Sequence, residues 1–387
     1  MMKKTGRAAA VLGGAAIALA LSPAGAALAQ ARTDVPSQAQ PAGQEVFVQT
    51  DNLSGNQILV FDRHPDGRVS ESAVLPTGGL GGQAQGSVAD RLASQGSLVY
   101  DPVHRLLLAV NAGSGTISVF SVDGNYPRLR QVLSSGGYFP NSIAVSGDLV
   151  YVLDAGGDGA VSGFRTAGDH LVPIAGSTRS LGLGGTNPPN FLKAPGQVGF
   201  SPDGSELIVT TKASTSSFDV FTVGTGGILS SEPVVTPDPG NVPFAFTFAP
   251  GGQLVATDAA ASALHTYSTG NGGALTSLSS LGDGQKAACW VTAADGYYFV
   301  ANAGSSNISG YTVSSDGGLS LVGTTGVVGS TDAGDVDLAA TPDGANLYVE
   351  AGAAGALDEY HINPDGTLAS LGSVDGIGAG IEGIATD

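Results

Sequence analysis

The sequence repeats one two-strand pattern seven times, and this repetition limits the possible folds more than any other feature. The stretch LLLAVNAGSGTISVFSVDG at 106–124 returns in similar form as YYFVANAGSSNISGYTVSSDG at 297–317. An aromatic residue lies near the end of the second strand of every copy: Phe61, Phe120, Phe164, Phe221, Tyr267, Tyr311 and Tyr360. A polar residue nine or ten positions earlier ends the first strand: Asp51, Asn111, Asp154, Lys212, Asp258, Asn302 and Glu350. One such hairpin is only marginally stable in water, so the copies must stack against one another.

Each repeat extends to four short strands, named A to D here, and this predicts an all-β, seven-bladed β-propeller. In the fourth copy strand A is GQVGFS, strand B is ELIVTT, strand C is SFDVFTV and strand D is ILSSEPVV. Pro-Asp-Gly turns join strands in several copies, because proline presets φ and glycine accepts a positive φ. The first copy lacks strand A, whereas the chain ends in GIEGIATD, which resembles other A strands. We therefore expect 382–386 to supply the innermost strand of the first blade and to close the ring.

The first residues of the chain predict export. Lys3, Lys4 and Arg7 precede the apolar run 8–21, and small residues further on allow cleavage by a signal peptidase. The apolar run is shorter than the ~20 residues needed to span a bilayer. We interpret 1–31 as a signal peptide and expect a secreted, extracytoplasmic protein.

The rest of the chain divides into 32–44, a flexible leader poor in large apolar residues, and 45–387, the propeller. The formal net charge of −18 disfavours nucleic acid and anionic membranes as partners, and a monomer without a membrane span is expected. The only cysteine, Cys289, cannot form an internal disulfide, and within AACWVTA a buried, unreactive thiol is the expected state.

Propeller geometry places the B-to-C and D-to-A connections on one face, which we call the top face, around the opening of the central channel. Three aspartates, Asp332, Asp335 and Asp337, enter strand A of the seventh blade there, near the expected positions of Glu350, Asp51 and Glu382. Oxygen ligands at this density suit Ca²⁺ or Mg²⁺, although no cofactor is required by the sequence. The alternative is that these carboxylates accept hydrogen bonds from backbone amides where blades meet.

A mixed polar set is also expected at the top face. Its amide and acidic members, predicted to bind a ligand, are Asn111, Asn141, Gln197, Asn241, Asn302 and Glu350. Lys212 stands out, because the six equivalent positions carry Asp, Asn or Glu. Its ammonium group could bind a substrate carboxylate, or it could form an ion pair with Asp154 or Asp258. By contrast, no G-x-S-x-G, H-x-H or H-E-x-x-H spacing occurs in the sequence, and no histidine is expected at the opening.

Three stretches carry a resemblance to a known family: 106–124 quoted above, FSPDGSELIVTTKASTSSFDVFTV at 200–223, and ATPDGANLYVEAGAAGALDEYHINPDGTLASLG at 340–372. In these motifs the chain resembles the lactonase-type seven-bladed propellers, which include bacterial 6-phosphogluconolactonase and fungal carboxy-cis,cis-muconate cyclase. The resemblance implies a histidine, an Arg-His pair and a glutamate where this chain has Asn141, Gly196 with Gln197, and Lys212.

Two functions compete on this evidence. The first is hydrolysis or isomerisation of a small lactone or sugar-derived ligand at the top of the channel, with Lys212, Asp154 and Asp258 as catalytic groups. The alternative is a non-catalytic propeller that recognises a carbohydrate, a peptide or an extracellular protein. Its binding loops would be the two insertions 78–96 and 181–195, the first of which is long enough to roof the opening. A quinone- or metal-dependent dehydrogenase is disfavoured because the expected opening lacks histidine.

Overall fold

A computed structural model describes residues 44–123, 126–270 and 272–387. The predicted signal peptide and all of the predicted leader except Gln44 lie outside these residues. No helix within the described ranges is both long enough and apolar enough to cross a membrane.

Seven antiparallel sheets form the predicted propeller. Strand A is innermost in each sheet, and the A strands of blades 1 to 7 are Ile384–Thr386, Leu98–Asp101, Pro140–Ser146, Gln197–Phe200, Pro243–Phe248, Ala288–Ala294 and Asp335–Ala340. The B strands are Glu45–Gln49, Leu106–Asn111, Leu149–Asp154, Glu206–Thr210, Leu254–Asp258, Tyr297–Asn302 and Asn346–Ala351. Each A strand contacts the A strands of its two neighbouring blades, so the ring is closed.

The two outer strands of each blade follow the same order. The C strands are Gln57–Arg63, Thr116–Ser121, Ala160–Ala167, Ser217–Thr222, Ala263–Thr269, Asn307–Val313 and Ala356–Ile362. The D strands are Val69–Pro76, Arg128–Ser134, His170–Pro173 with Arg179–Ser180, Val234–Pro237, Leu275–Gly282, Leu319–Leu321 with Val327–Ser330, and Leu368–Asp375. Strand D is split in the third and sixth blades, and a single 3-10 turn at Thr225–Gly227 precedes strand D of the fourth.

The C-terminal strand closes the ring as the sequence predicts. Ile384–Thr386 pairs antiparallel with Glu45–Gln49, with Phe47 opposite Ala385. One sheet therefore contains both ends of the propeller, and separating them would expose the apolar faces of two blades to water.

The repeated aromatics hold neighbouring blades together. All seven lie on C strands and are buried. In one interface Phe47, Ile58 and Val60 of the first blade pack against Leu107 and Phe120 of the second. Inner strands such as Leu106–Asn111 are buried along their whole length, because successive side chains point to opposite faces and each face is covered by an adjacent blade.

Candidate functional site

The first insertion fills the opening of the central channel. Residues 92–95, which we call the plug, cross the top of the channel and lie largely buried. The plug begins at the first blade, where the Glu382 carboxylate accepts hydrogen bonds from the backbone amides of Leu92, at 2.5 Å, and Ser94, at 2.9 Å. The Ser94 hydroxyl then donates to the Asn141 carbonyl of the third blade at 2.7 Å.

The far end of the plug is bound to the sixth blade. The Gln95 side-chain amide both donates to and accepts from the backbone of Val291, at 2.9 and 3.0 Å. The indole nitrogen of Trp290 donates to the Ser94 carbonyl at 2.7 Å. The sequence predicted an insertion long enough to roof the opening, and in the structure residues 92–95 bind blades on different sides of the channel.

Lys212 binds the plug instead of a carboxylate. Its ammonium group is buried and donates to the carbonyls of Ala93, at 2.5 Å, and Phe191, at 2.7 Å. It also lies 4.9 Å from the centre of the Phe244 ring. Burial lowers the pKa of Lys212 to about 8, while nearby Asp90 and Glu382 oppose that shift. Within the described ranges Lys212 makes no ion pair, so the predicted pairing with Asp154 or Asp258 is wrong.

The two aspartates predicted as catalytic are both buried at the top ends of their B strands. The Asp258 carboxylate accepts hydrogen bonds from the amides of Val242 and Ala260, at 2.8 and 2.9 Å. The Asp154 Oδ1 atom accepts from the Ser135 hydroxyl at 2.5 Å, whereas its Oδ2 atom has no partner. Burial raises the pKa of Asp154 to about 7. The Oδ2 atom of Asp258 also has no hydrogen-bond partner, and it lies 3.7 Å from the His265 Nε2 atom.

The amide residues predicted to bind a ligand mostly join loops and blades. The side-chain amide of Gln197 accepts a hydrogen bond from the backbone nitrogen of Phe246 at 2.6 Å and donates one to the Phe246 carbonyl at 3.1 Å. It therefore links two A strands. Asn111 donates to the hydroxyls of Thr116 and Ser118.

Two of the other three amide residues have a side-chain oxygen without a hydrogen-bond partner. Asn141 donates to the Pro195 carbonyl, and Asn241 donates to the Asp238 carboxylate. Asn302 donates to Ser309 and, like Asn141, has a buried side-chain oxygen without a partner.

The predicted metal ligands do not form one cluster. Asp332 is exposed, whereas Asp335 and Asp337 are buried, and burial raises the pKa of each of the latter two to about 7. Glu350 accepts from the Gly383 amide at 2.9 Å, and burial raises its pKa well above the ordinary value. No group of three or more His, Cys, Asp or Glu residues among those described is arranged to hold a metal ion. The Ca²⁺ or Mg²⁺ site stays a prediction.

A cavity of about 700 Å³ lies on the top face beside the plugged channel, and we call it the side cavity. It is lined by Leu53, 80–83, 112–115, Ser134, 137–139 and 187–188, from the loops of the first three blades and both insertions. None of the lining residues carries a carboxylate, amine, guanidinium, imidazole or thiol. The amides of Gln83 and Asn187 and the hydroxyl of Ser114 supply donors and acceptors, and Tyr138 supplies an exposed aromatic ring.

Glycine makes the wall of the side cavity thin and rigid. A Cβ atom on Gly81 would lie 2.1 Å from the Asp51 carbonyl, and one on Gly113 would lie 2.2 Å from the Gly81 carbonyl. The backbone there is also fixed by hydrogen bonds from Gly113 to Leu80 and from Gly81 to Asn52. Close backbone approach requires glycine, because any side chain would separate the loops.

Asp154 lies directly behind this wall. A Cβ atom on Gly137, which lines the side cavity, would lie 2.8 Å from the unpaired Oδ2 atom of Asp154. The carboxyl group is itself inaccessible to solvent. Of the residues predicted to be catalytic, Asp154 is therefore the one placed next to a ligand-sized cavity.

Sequence reasoning missed the residues of the side cavity. Leu53, Ser114, Tyr138 and Asn187 lie on four connections that are far apart in the chain, and none belongs to a familiar motif. The available signal was the run GGLGG at 78–82, since adjacent glycines in an insertion indicate close approach of backbones.

Known proteins with the same architecture are similar to this chain. The family described as "Lactonase, 7-bladed beta-propeller" matches residues 98–380. The structure resembles the periplasmic gluconolactonase of Pseudomonas aeruginosa, with a TM-score of 0.68 and 16% identity, covering 89% of this chain and 98% of that one. A candidate 6-phosphogluconolactonase of Bacteroides uniformis gives a TM-score of 0.68 and 16% identity, covering 89% and 100%. No curated protein matches the chain. At these identities the structural likeness shows the fold alone.

Proposed function

Because the chain belongs to the lactonase family of seven-bladed β-propellers, we propose that it binds a neutral, sugar-derived ring, such as a sugar lactone, in the side cavity. The observation that carries this proposal is the position of the plug. The channel opening is filled by the protein's own residues 92–95, and the adjacent cavity of about 700 Å³ is of ligand size.

The lining of the side cavity supports a neutral, hydroxyl-rich ligand. A charged ligand would lose its hydration and gain no ion pair there, because the lining carries no charged group. A sugar ring offers apolar faces to Tyr138 and many hydroxyls to the amides and hydroxyl of the cavity. The glycine walls keep these groups in place before the ligand binds, which reduces the entropy cost of association.

Calorimetric titration with neutral monosaccharides and their aldonolactones tests this proposal. We expect saturable binding that Tyr138→Ala weakens by about tenfold, since loss of one aromatic contact costs roughly 1 to 1.5 kcal/mol. Tyr138 is 66% exposed, so its removal should leave the fold intact. Tyr126→Ala is the matched control, because Tyr126 is 44% exposed and does not line the side cavity. Equal affinities for the two variants, or no binding by the native protein, would show that the side cavity is not the site.

A second candidate function is hydrolysis of a lactone in the same cavity, with Asp154 as the general base. The observation that favours it is the unpaired Asp154 Oδ2 atom behind Gly137, in a carboxyl group whose pKa is about 7. A base of this pKa suits proton transfer near neutral pH. The wall at Gly137 would have to open for Asp154 to reach a water molecule beside the ligand.

The Asp154→Asn variant separates turnover from binding. If Asp154 is the base, the rate of aldonolactone hydrolysis above the spontaneous rate should fall by about 10² or more while ligand affinity is retained. Asp258→Asn is the control, because Asp258 is also buried and is not in contact with a residue that lines the side cavity in the way that Asp154 contacts Gly137. Native protein that binds lactones without accelerating their hydrolysis would leave binding as the function.

We also propose that the mature protein works outside the cytoplasm. Support comes from the basic and apolar start of the chain and from likeness to a neighbour described as periplasmic. N-terminal sequencing of the exported protein should begin near residue 30 or 32. A chain that retains Met1 in the cytoplasm would contradict the proposal.

A further inference from the structure

A second cavity lies next to the side cavity on the top face. This second cavity, of about 560 Å³, is lined by 183–186, 189–190, 192–193, Ser214, Gln85, Ala155 and Gly157. Both insertions line both cavities: residues 80–83 and 187–188 face the side cavity, while Gln85 and the flanking residues of the second insertion face the other.

One stretch of the second insertion contributes to both cavities. Residues 186–189, which we call the ridge, contribute Asn187 and Pro188 to the side cavity and Thr186 and Pro189 to the second cavity. Two backbone hydrogen bonds hold the ridge in place. The backbone N–H of Gln85 donates to the Pro189 carbonyl at 2.8 Å, and the backbone N–H of Gly157 donates to the Thr186 carbonyl at 3.0 Å.

The two cavities differ in charge. The side cavity has no charged lining residue, whereas Lys193 lines the second cavity and is exposed. Among the described residues Lys193 forms no ion pair. None of the residues that line the second cavity carries a carboxylate. On a chain with a formal net charge of −18, a free ammonium group at a ligand-sized cavity favours an anionic group on the ligand.

From this arrangement we propose that the natural ligand is an oligosaccharide of two or more units that crosses the ridge. A neutral unit occupies the side cavity, and a unit bearing a carboxylate, such as a uronic acid, occupies the second cavity beside Lys193. This inference rests on the proposed function of the side cavity. It adds the length of the ligand and the position of its negative charge, neither of which can be inferred from the side cavity alone.

The experiment is a glycan array of neutral and uronic-acid-containing oligosaccharides of one to four units, followed by calorimetry of the ligands that bind. We expect a two-unit ligand with one carboxylate to bind about tenfold more tightly than its neutral unit alone, the gain of roughly 1.4 kcal/mol that one further set of contacts provides. Ser214→Trp should remove that gain by filling the second cavity, and affinity for the single neutral unit should be unchanged.

Lys193→Gln tests the charge, with Lys286→Gln as the matched control, since both lysines are exposed and Lys286 lines neither cavity. Lys193→Gln should weaken the acidic two-unit ligand about threefold and leave the neutral one unaffected, as expected for one exposed ion pair.

The possible results separate this inference from the proposed function. If single units bind in the side cavity but longer ligands gain nothing, the inference is overturned and the proposed function stands. The inference is also overturned if Lys193→Gln and Lys286→Gln weaken the acidic ligand equally. If no glycan binds the native protein, both fail.

Discussion

At the scale of single residues, Lys212 shows how an unusual residue can serve the fold. Its departure from the acids and amides at the equivalent positions suggested a catalytic or ion-pairing group. In the structure its four-carbon stem carries the ammonium group to two backbone carbonyls, one on the plug and one in the second insertion. The side chains of Asp, Asn and Glu are too short to donate a hydrogen bond to these carbonyls from the same backbone position. An ionised Asp or Glu would also repel the carbonyl oxygens.

The Lys212→Met variant tests this structural role. Methionine keeps most of the apolar stem but leaves the carbonyls of Ala93 and Phe191 without a donor, so the free energy of unfolding should fall by about 2 kcal/mol or more. Urea denaturation measures the change, and affinity of the side cavity for its ligand should be retained. The exposed Lys286→Met variant should change stability by less than about 0.5 kcal/mol. A folded, fully stable Lys212→Met protein that has lost activity would instead support the predicted catalytic role of Lys212.

At the scale of elements, the first insertion acts as a brace across the ring. Its plug is bound to the first, third, fourth and sixth blades through Glu382, Asn141, Lys212 and Trp290. The end of the same insertion leads directly into strand A of the second blade. The plug therefore replaces solvent at the channel opening. Its backbone N–H and C=O groups are buried there, so they need hydrogen-bond partners within the protein.

Glu382→Ala tests the plug. This change removes the acceptor for the amides of Leu92 and Ser94, so the plug should detach at lower urea concentration than the blades unfold. The chain has one tryptophan, and Trp290 donates to Ser94, so its fluorescence should shift to longer wavelength in an early step. Glu71→Ala, on an exposed outer strand, should show a single transition. Coincident fluorescence and circular dichroism transitions in Glu382→Ala would contradict a separable plug.

At the scale of the whole molecule, buried carboxyl groups couple stability to pH. Burial raises the pKa of Asp154, Asp335 and Asp337 to about 7 and that of Glu45 to about 8. At pH values between the ordinary carboxyl pKa and these raised pKa values, the folded protein therefore binds more protons than the unfolded chain. For such groups the stabilising contribution is complete below the unfolded pKa and is lost as pH rises through the folded pKa.

The free energy of unfolding should thus decrease as pH rises from about 5 to about 8, although the protein is acidic. Urea denaturation at several pH values in this range measures the slope. Asp335→Asn should flatten the slope, because it removes one of the buried titrating groups, whereas Asp332→Asn should not, because Asp332 is exposed. Stability that is constant or increases over the range would show that these carboxyl groups are already ionised in the folded state.

The sequence predicted the fold almost completely, for reasons visible in particular residues. Seven aromatics that follow seven polar residues by nine or ten positions specify seven hairpins, and near-continuous apolar runs such as LLLAV at 106–110 specify strands buried on both faces. The missing first strand A and the surplus strand at 382–386 even specified how the ring closes, which the pairing of Phe47 with Ala385 confirms. These features are local or periodic, so each can be recognised from neighbouring residues.

The candidate site depended on contacts that no local pattern contains. The sequence placed Lys212 and Asp154 at the ends of adjacent B strands, but only the folded chain decided that one would bind a plug and the other would lie behind Gly137. The side cavity joins Leu53, Ser114, Tyr138 and Asn187, which are separated by dozens of residues and meet because closed-ring packing brings their loops together. The sequence by itself determined the blades, their number and their closure. The tertiary structure decided where a ligand can enter, because the path of a long insertion depends on which backbone groups remain unpaired at the top of the finished ring.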